Sequence, residues 1–168
     1  YSLGRYPDGG STWCSLPPTT NMPNTSAPPQ HVVISEIMYH PVPTEANPED
    51  NQRDEYIELY NPTASPVTLM MSIIDVGVWR IGGGVQYLFP SNTVLPAGGR
   101  LVVVSFDPRT NTVARDAFLE TYGLTNGQIR IFGPYSGRLS NGGERLALER
   151  PLAPDPGDVE WSWVIVDE

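Results

Sequence analysis

Apolar and polar residues alternate along most of the chain in short runs, and turn residues separate these runs. The clearest runs occupy residues 31–39 (HVVISEIMY), 55–60 (EYIELY) and 85–89 (VQYLF). A two-residue alternation places successive side chains on opposite faces of a strand, so each run predicts a strand with one buried face. Residues 100–105 (RLVVVS) are apolar on both faces, which is typical of a central strand.

The same pattern predicts further short strands at residues 67–69, 129–132, 144–149 and 161–166. One stretch, residues 112–122, favours a helix, because Phe118 and Tyr122 are four residues apart and Gly123 follows in the C-capping position. Some eight or nine short strands with turn signals between them predict an all-β fold. We expect an immunoglobulin-like antiparallel β-sandwich with one short helix.

Proline and glycine divide the chain into three segments. Residues 15–30 (SLPPTTNMPNTSAPPQ) hold five prolines and few residues that could enter a core, which predicts a semi-rigid linker. Residues 1–14 precede this linker with a short apolar alternation and a Pro-Asp-Gly-Gly turn signal. Residues 31–168 are left as the main domain.

Charge and composition exclude several classes of function. The chain has 10 Lys+Arg against 19 Asp+Glu, a net charge of -9, and all ten cations are arginine. Without lysine it cannot form a Schiff base or a P-loop, and its negative charge repels phosphate backbones, so we expect no nucleic-acid partner. No apolar run approaches the ~20 residues of a membrane span, and the single Cys14 excludes an internal disulfide.

The residues that usually carry catalysis do not form recognisable motifs. His31 and His40 are the only histidines, and neither stands in a zinc-binding pattern. The glycine run at residues 82–84 lacks the lysine and helix of a phosphate-binding loop, and indicates a hairpin turn instead. The sequence therefore predicts a protein that is not an enzyme, with no catalytic residues and no cofactor.

Five carboxylates crowd a polar loop, with Arg53 as the one cation among them. They are Glu45, Glu49, Asp50, Asp54 and Glu55. Calcium takes six to eight oxygen ligands, so this loop is a weak candidate for a calcium site. It matches no EF-hand pattern, however, and the favoured interpretation is a solvated loop that keeps the domain soluble.

Glu36 and Glu58 each lie in the middle of an otherwise apolar strand. Two carboxylates on adjacent strands could act as an acid–base pair. The favoured interpretation is structural, because no basic or metal-binding partner lies near them in the sequence.

Several sequence strings, taken in order, resemble the lamin tail domain family in its bacterial form. They are VVISEIMYHP, DEYIELYNPTASPVTL, a later tryptophan, YLFPSNTVLPAGGRLVVV, YG and LSNGGERLAL, and together they cover about residues 32–149. The resemblance implies a compact immunoglobulin-like sandwich without catalytic residues. It also implies an accessory module of a large exported protein, in an extracytoplasmic location, with protein or cell-surface partners and neighbouring domains in the same parent chain. The nuclear lamin version has been linked to DNA, but the charge of -9 argues against carrying that property over.

The resemblance also implies structural roles for a set of motif positions. They are Glu36, Glu58, Asn61, Trp79, Gly98, Gly99, Gly142 and Gly143. The usual Gly-Trp pair of the family is Val78-Trp79 here.

The resemblance departs from the family at the C-terminus, where a closing G-x-S-L-x-R strand is expected after residue 168. Residues 1–24 resemble that closing segment, so residues 1–14 are interpreted as the closing-strand remnant of a preceding domain. The sandwich would then lack its own last strand. Residues 1–5, from Tyr1 to Arg5, could fill the open sheet edge in the same molecule or in a strand-swapped dimer.

The sequence also supports an alternative prediction of function. The acidic loop 45–55 could serve a calcium-dependent adhesion or carbohydrate-binding module, with Tyr135, Trp161 and Trp163 as exposed faces for stacking on sugars.

Overall fold

The computed structural model divides the chain into two compact units, Tyr1–His31 and Val32–Glu168. It describes residues 2–5, 8–10, 13–16, 18–24, 32–45, 48, 50–70, 77–152 and 162–168. The first unit is built on an antiparallel hairpin of β1 (Ser2–Arg5) and β2 (Trp13–Leu16), in which Ser2 lies opposite Leu16. The turn includes Gly9, whose φ of 75° suits a residue without a Cβ.

This hairpin changes the predicted organisation of the N-terminal residues. The strand β2 continues to Leu16, so the first two residues assigned to the linker are part of a sheet. Asn24 turns the following segment back, because its side-chain amide donates to the Arg5 carbonyl (2.9 Å) and its backbone N–H to Asp8 Oδ2 (3.0 Å). The strand β1 therefore has a partner within its own unit, and its pairing with a sandwich stays a prediction.

The second unit contains eleven named strands and one α-helix within the described residues. In chain order they are β3 (Val33–Met38), β4 (Tyr56–Tyr60), β5 (Val67–Thr68), β6 (Arg80–Gly83), β7 (Val85–Leu88), β8 (Val94–Leu95), β9 (Arg100–Val104), α1 (Thr112–Thr121), β10 (Arg130–Phe132), β11 (Ser136–Gly137), β12 (Leu146–Leu152) and β13 (Ser162–Asp167). A single 3₁₀ turn, Gln52–Asp54, precedes β4.

These strands form two main sheets and a small one. The first sheet has the order β10-β9-β4-β3, the second has the order β11-β7-β6-β12-β13, and β5 pairs with β8. All pairs are antiparallel except β9 and β10, which are parallel. A parallel pair needs a crossover connection, and here α1 lies in that connection.

The core lies between the inner faces of the two main sheets. Ile57 and Leu59 of β4 are fully buried, as are Ile81 of β6 and Leu148 of β12. A second apolar cluster covers part of the outer face of the first sheet, where Phe118 of α1 packs in one cluster with Tyr56 of β4 and with Val102 and Val104 of β9. The helix thus buries a part of that face which would otherwise be solvated.

The strand β6 is absent from the sequence prediction. The run RIGG contains two glycines and carries little β-propensity of its own, so the sequence indicates only the hairpin turn at residues 82–84. In the structure it lies between β7 and β12. Gly83 has a φ of 115°, and a Cβ there would collide with the Arg145 backbone, so only glycine allows this close approach.

Candidate binding groove

Within the described residues of the second unit, one side of the sandwich is open between β3 and β12. Ile37 of β3 lies directly opposite Ile57 of β4 and so points toward the sandwich interior. Ile57 is fully buried, yet Ile37 is 40% exposed. The difference follows from position, because β3 is the last strand in the order of its sheet.

The strand β13 closes only part of this open side. It pairs with β12 from Leu148 to Leu152, and its Asp167 side chain accepts a hydrogen bond from the Ile34 backbone N–H (2.7 Å). Leu146 and Ala147 of β12 lie before the residues that pair with β13. They pair with β6 at one edge of β12, and at the other edge no described strand pairs with them.

The uncovered part forms a groove of about 450 Å³, which we call the seam groove. One wall is formed by Ile37 and Tyr39, and the other by Leu139, Leu146 and the loop of residues 140–144 between them. Tyr39 is 49% exposed and stacks beside His40, with ring centroids 6.5 Å apart. The seam groove therefore offers aliphatic and aromatic surface in a concave shape, which is what binding sites usually provide.

The loop of residues 140–144 is held in shape by its own hydrogen bonds. The Gly143 N–H donates to the Ser140 carbonyl (3.1 Å), and the Gly142 N–H donates to Ser140 Oγ (3.1 Å). The Ser140 N–H donates to Glu144 Oε1 (2.8 Å). Gly143 has a φ of 87°, a left-handed conformation that glycine adopts without strain.

A buried polar pair lies behind this loop. Tyr135 donates its hydroxyl hydrogen to Glu55 Oε2 at 2.6 Å, and both residues are buried. Burial raises the pKa of Glu55 above its ordinary value, and the hydrogen bond from Tyr135 offsets part of that rise. Burial and the Glu55 carboxylate together raise the pKa of Tyr135. The pair fixes the start of β4 against the chain that leads into the loop.

A second set of polar contacts fixes the acidic loop. Asp50 forms an ion pair with Arg138, which immediately precedes Leu139 of the seam groove. Asn51 donates to Asp54 Oδ2 (2.6 Å), and Arg53 also bonds the Asp54 carboxylate (2.6 Å). The Tyr122 hydroxyl donates to the Asp54 carbonyl (2.6 Å), and burial followed by the nearby charges of Asp54 and Glu36 raises the pKa of Tyr122 to about 12.

The predicted calcium ligands are spread over different environments. Asp54 and Glu55 are fully buried, which corrects their interpretation as part of a solvated loop, and the reason is that each has a polar partner inside the fold. Asp50 faces Arg138, Glu45 is exposed, and Glu49 lies outside the described residues. In the part of the chain that the structure describes, no three His, Cys, Asp or Glu side chains are grouped so as to hold a metal ion.

Glu36 and Glu58 are brought together as direct cross-strand neighbours on the outer face of the first sheet. Glu58 Oε1 accepts hydrogen bonds from Ser35 Oγ (2.6 Å) and Arg100 Nε (3.2 Å). Glu36 accepts from the Tyr56 hydroxyl, a contact that, after burial, helps raise the pKa of Tyr56. Both carboxylates therefore bind neighbouring side chains of the same face.

The other motif positions lie in the core and in turns. Asn61 is fully buried; its side-chain amide donates to the carbonyls of Ser65, Leu95 and Pro96, and its Oδ1 accepts from the Thr63 N–H. Trp79 lies in the main core cluster. Gly98 and Gly99 form the turn between β8 and β9, and the Gly98 N–H donates to the Asn61 carbonyl (2.9 Å). Gly142 and Gly143 lie in the loop of the seam groove.

The aromatic residues proposed as sugar-stacking faces do not share one surface in the described chain. Tyr135 is 5% exposed, which corrects its prediction as a surface aromatic, because its ring packs in the core and its hydroxyl binds Glu55. Trp163 is partly exposed, and Arg80 Cζ lies 3.8 Å from its ring centroid. Trp161 and His31 lie outside the described residues.

Sequence reasoning missed the seam groove and the Glu55–Tyr135 pair. Ile37 and Tyr39 lie in a run that alternates like any other predicted strand. No local pattern in the sequence indicates that this strand lies at the edge of its sheet. Tyr135 lies 80 residues from Glu55, so nothing in the sequence around either residue points to the other.

The fold and these contacts place the protein in the class of all-β domains of immunoglobulin-like sandwich type, as the strand pattern predicted. The sequence profile described as Lamin Tail Domain matches residues 25–151, which is most of the chain. The chain therefore belongs to the lamin tail domain family, and the resemblance found in the sequence is confirmed. No curated protein matches the chain. Within the described residues no helix is long and apolar enough to cross a membrane.

Proposed function

We propose that this domain is a non-enzymatic protein-interaction module that binds partners through the seam groove. Membership of an immunoglobulin-like family supports an interaction role. The observation that carries the proposal is the exposure of Ile37 and Tyr39 at an edge strand. Both residues lie on one wall of a groove whose lining includes apolar side chains from both main sheets.

The arrangement supports binding rather than catalysis. The carboxylates that could act as acid or base are bonded to neighbouring side chains. Glu55 accepts a hydrogen bond from the Tyr135 hydroxyl, Asp50 forms an ion pair with Arg138, and Glu58 forms one with Arg100. The loop of residues 140–144 is preorganised by its backbone hydrogen bonds, and a rigid wall lowers the entropy that a partner must lose on binding.

The test is a selection of displayed random peptides against the whole 168-residue chain, followed by titration of the selected peptides in solution. We expect Ile37→Thr and Tyr39→Ser each to weaken binding by about tenfold or more, because both residues line the groove. Leu88→Thr is the matched control, since Leu88 is a strand residue with 60% exposure outside the groove. Selected peptides that bind the groove variants and the wild type equally, or a selection without binders, contradict the proposal.

A calcium-dependent adhesion or carbohydrate-binding module is the second candidate. One observation favours it: Oδ1 of Asp50, Oδ1 of Asn51 and Oε1 of Glu55 are buried and lack a hydrogen bond of normal geometry. The ion pair between Asp50 and Arg138 weighs against it, because a guanidinium group competes with a cation for that carboxylate. A rise in melting temperature at millimolar calcium, absent with magnesium, would support this candidate, and an unchanged melting temperature would remove it.

We further propose, from the family resemblance, that the domain belongs to a larger exported bacterial protein and works outside the cytoplasm. Fractionation of the native host's cells with an antibody against the domain tests this, and recovery of the protein in the cytoplasmic fraction alone would contradict it.

A further inference from the structure

We propose that the seam groove binds an extended peptide segment of a partner, which adds as a β-strand to the edge of β3 and carries basic residues beside apolar ones. This inference rests on the proposed function and specifies the kind of partner and its mode of binding. It is carried by three features: the outer edge of β3, which pairs with no other described strand, the inward-facing yet exposed Ile37, and the carboxylates of Glu144 in the groove and Glu36 on the outer face of β3.

The strands that flank the open side favour a strand as its occupant. The strand β13 pairs with β12 as far as Leu148, and the groove is lined by Leu146, two residues further along β12, and by Ile37 of the edge strand β3. An extended segment of about seven residues spans roughly 23 Å, which suits one sheet edge. Alternate side chains of such a strand would cover Ile37 and Leu139, while its backbone would pair with β3.

Charge selects the chemistry of the peptide. At least seven arginines of the described chain form ion pairs with carboxylates, among them Arg138 and Arg145 near the groove. Glu144 lines the groove, whereas Glu36 lies on the outer face of β3, where the outward-facing side chains of an added strand would lie. Neither carboxylate is in an ion pair among the described residues. Lysine or arginine beside the apolar positions of the peptide would complement them.

The same charges disfavour a second copy of this chain as the occupant. Each copy carries a net charge of -9 and no lysine, so two copies repel each other at low ionic strength. A basic segment of another protein is attracted by the charge that keeps two copies apart.

The test uses a synthetic seven-residue peptide of alternating valine and lysine, titrated into the isotopically labelled 168-residue chain and followed by amide chemical shifts. Two control peptides have the same length: one carries N-methyl groups on alternate backbone nitrogens, and one has glutamate in place of lysine. We expect the shift changes to cluster on β3 and on residues 139–146. N-methylation and charge reversal should each weaken binding by more than about tenfold, as should Ile37→Thr, while Leu88→Thr should bind like the wild type.

The outcomes separate this inference from the proposed function. Equal binding of the methylated and unmodified peptides in the groove would overturn strand addition and leave groove binding intact. Binding of the selected random peptides, but not of the valine–lysine peptide, would overturn the basic extended partner alone. Groove shifts that depend on protein concentration without any peptide would assign the groove to a second copy. Failure of every peptide to bind would overturn both proposals.

Discussion

Glu55 shows how a single buried carboxyl makes stability depend on pH. Its pKa is raised above 4.5 by burial, so the unfolded chain ionises first as pH rises. The free energy of unfolding therefore falls as pH rises from the ordinary pKa to the raised pKa, and it stays at the lower value at higher pH.

We expect Glu55→Gln to gain stability relative to the wild type as pH rises from about 4 to about 7. The gain should be about 1.4 kcal/mol for each unit by which burial raises the pKa. Urea unfolding of both proteins at several pH values measures it. Glu45→Gln serves as the control, because its side chain is exposed. A difference between Glu55→Gln and the wild type that is independent of pH would contradict this account of Glu55.

Asn61 is the residue whose side chain joins the most backbone groups in the turns around β4. Asn61→Ala leaves the carbonyls of Leu95 and Pro96 without their donor and the Thr63 N–H without its acceptor. We expect a loss of about 3 kcal/mol in the free energy of unfolding, measured by urea denaturation. Asn126→Ala, at an exposed turn position, should change stability by less than about 0.5 kcal/mol. Equal effects of the two substitutions would mean that the Asn61 bonds contribute little.

At the scale of elements, the helix α1 is fixed by its cap and by the face that it packs on the first sheet. Asn111 precedes the helix, and its Oδ1 accepts a hydrogen bond from the Ala114 N–H (3.0 Å). Asn111→Ala should cost about 1 kcal/mol of stability, and Asn111→Ser should retain most of it, because serine also caps helices. Urea denaturation compares the two, and equal losses would show that the cap bond is unimportant.

Elements with strong local signals could be predicted from the sequence, and the others could not. The predicted helix at residues 112–122 agrees with α1 (Thr112–Thr121) to within one residue, because its spacing and its glycine are local features. The strands β6, β8 and β11 are short or rich in glycine, and each forms by pairing with a strand that is distant in the sequence. The burial of Glu55 in the acidic loop could not be predicted for the same reason, since it depends on a tyrosine 80 residues away.

At the scale of the whole molecule, the charge of -9 favours basic partners over acidic ones. We expect no retardation of duplex DNA by the chain in gel-shift experiments at about 50 mM salt, where nonspecific binding of basic proteins is strong. A basic DNA-binding domain run in parallel is the positive control. Retardation that weakens steeply with salt would contradict this expectation and would indicate that the chain binds DNA.

The most direct test of the central claim, that the seam groove is the binding surface, is hydrogen exchange of the whole chain with and without a selected peptide. The account predicts slower exchange on β3 and in residues 139–146, with little change on the outer face of the second sheet, which includes Arg80 and Leu88. Protection confined to that outer face, or to the hairpin of the first unit, would contradict the account and move the binding surface elsewhere.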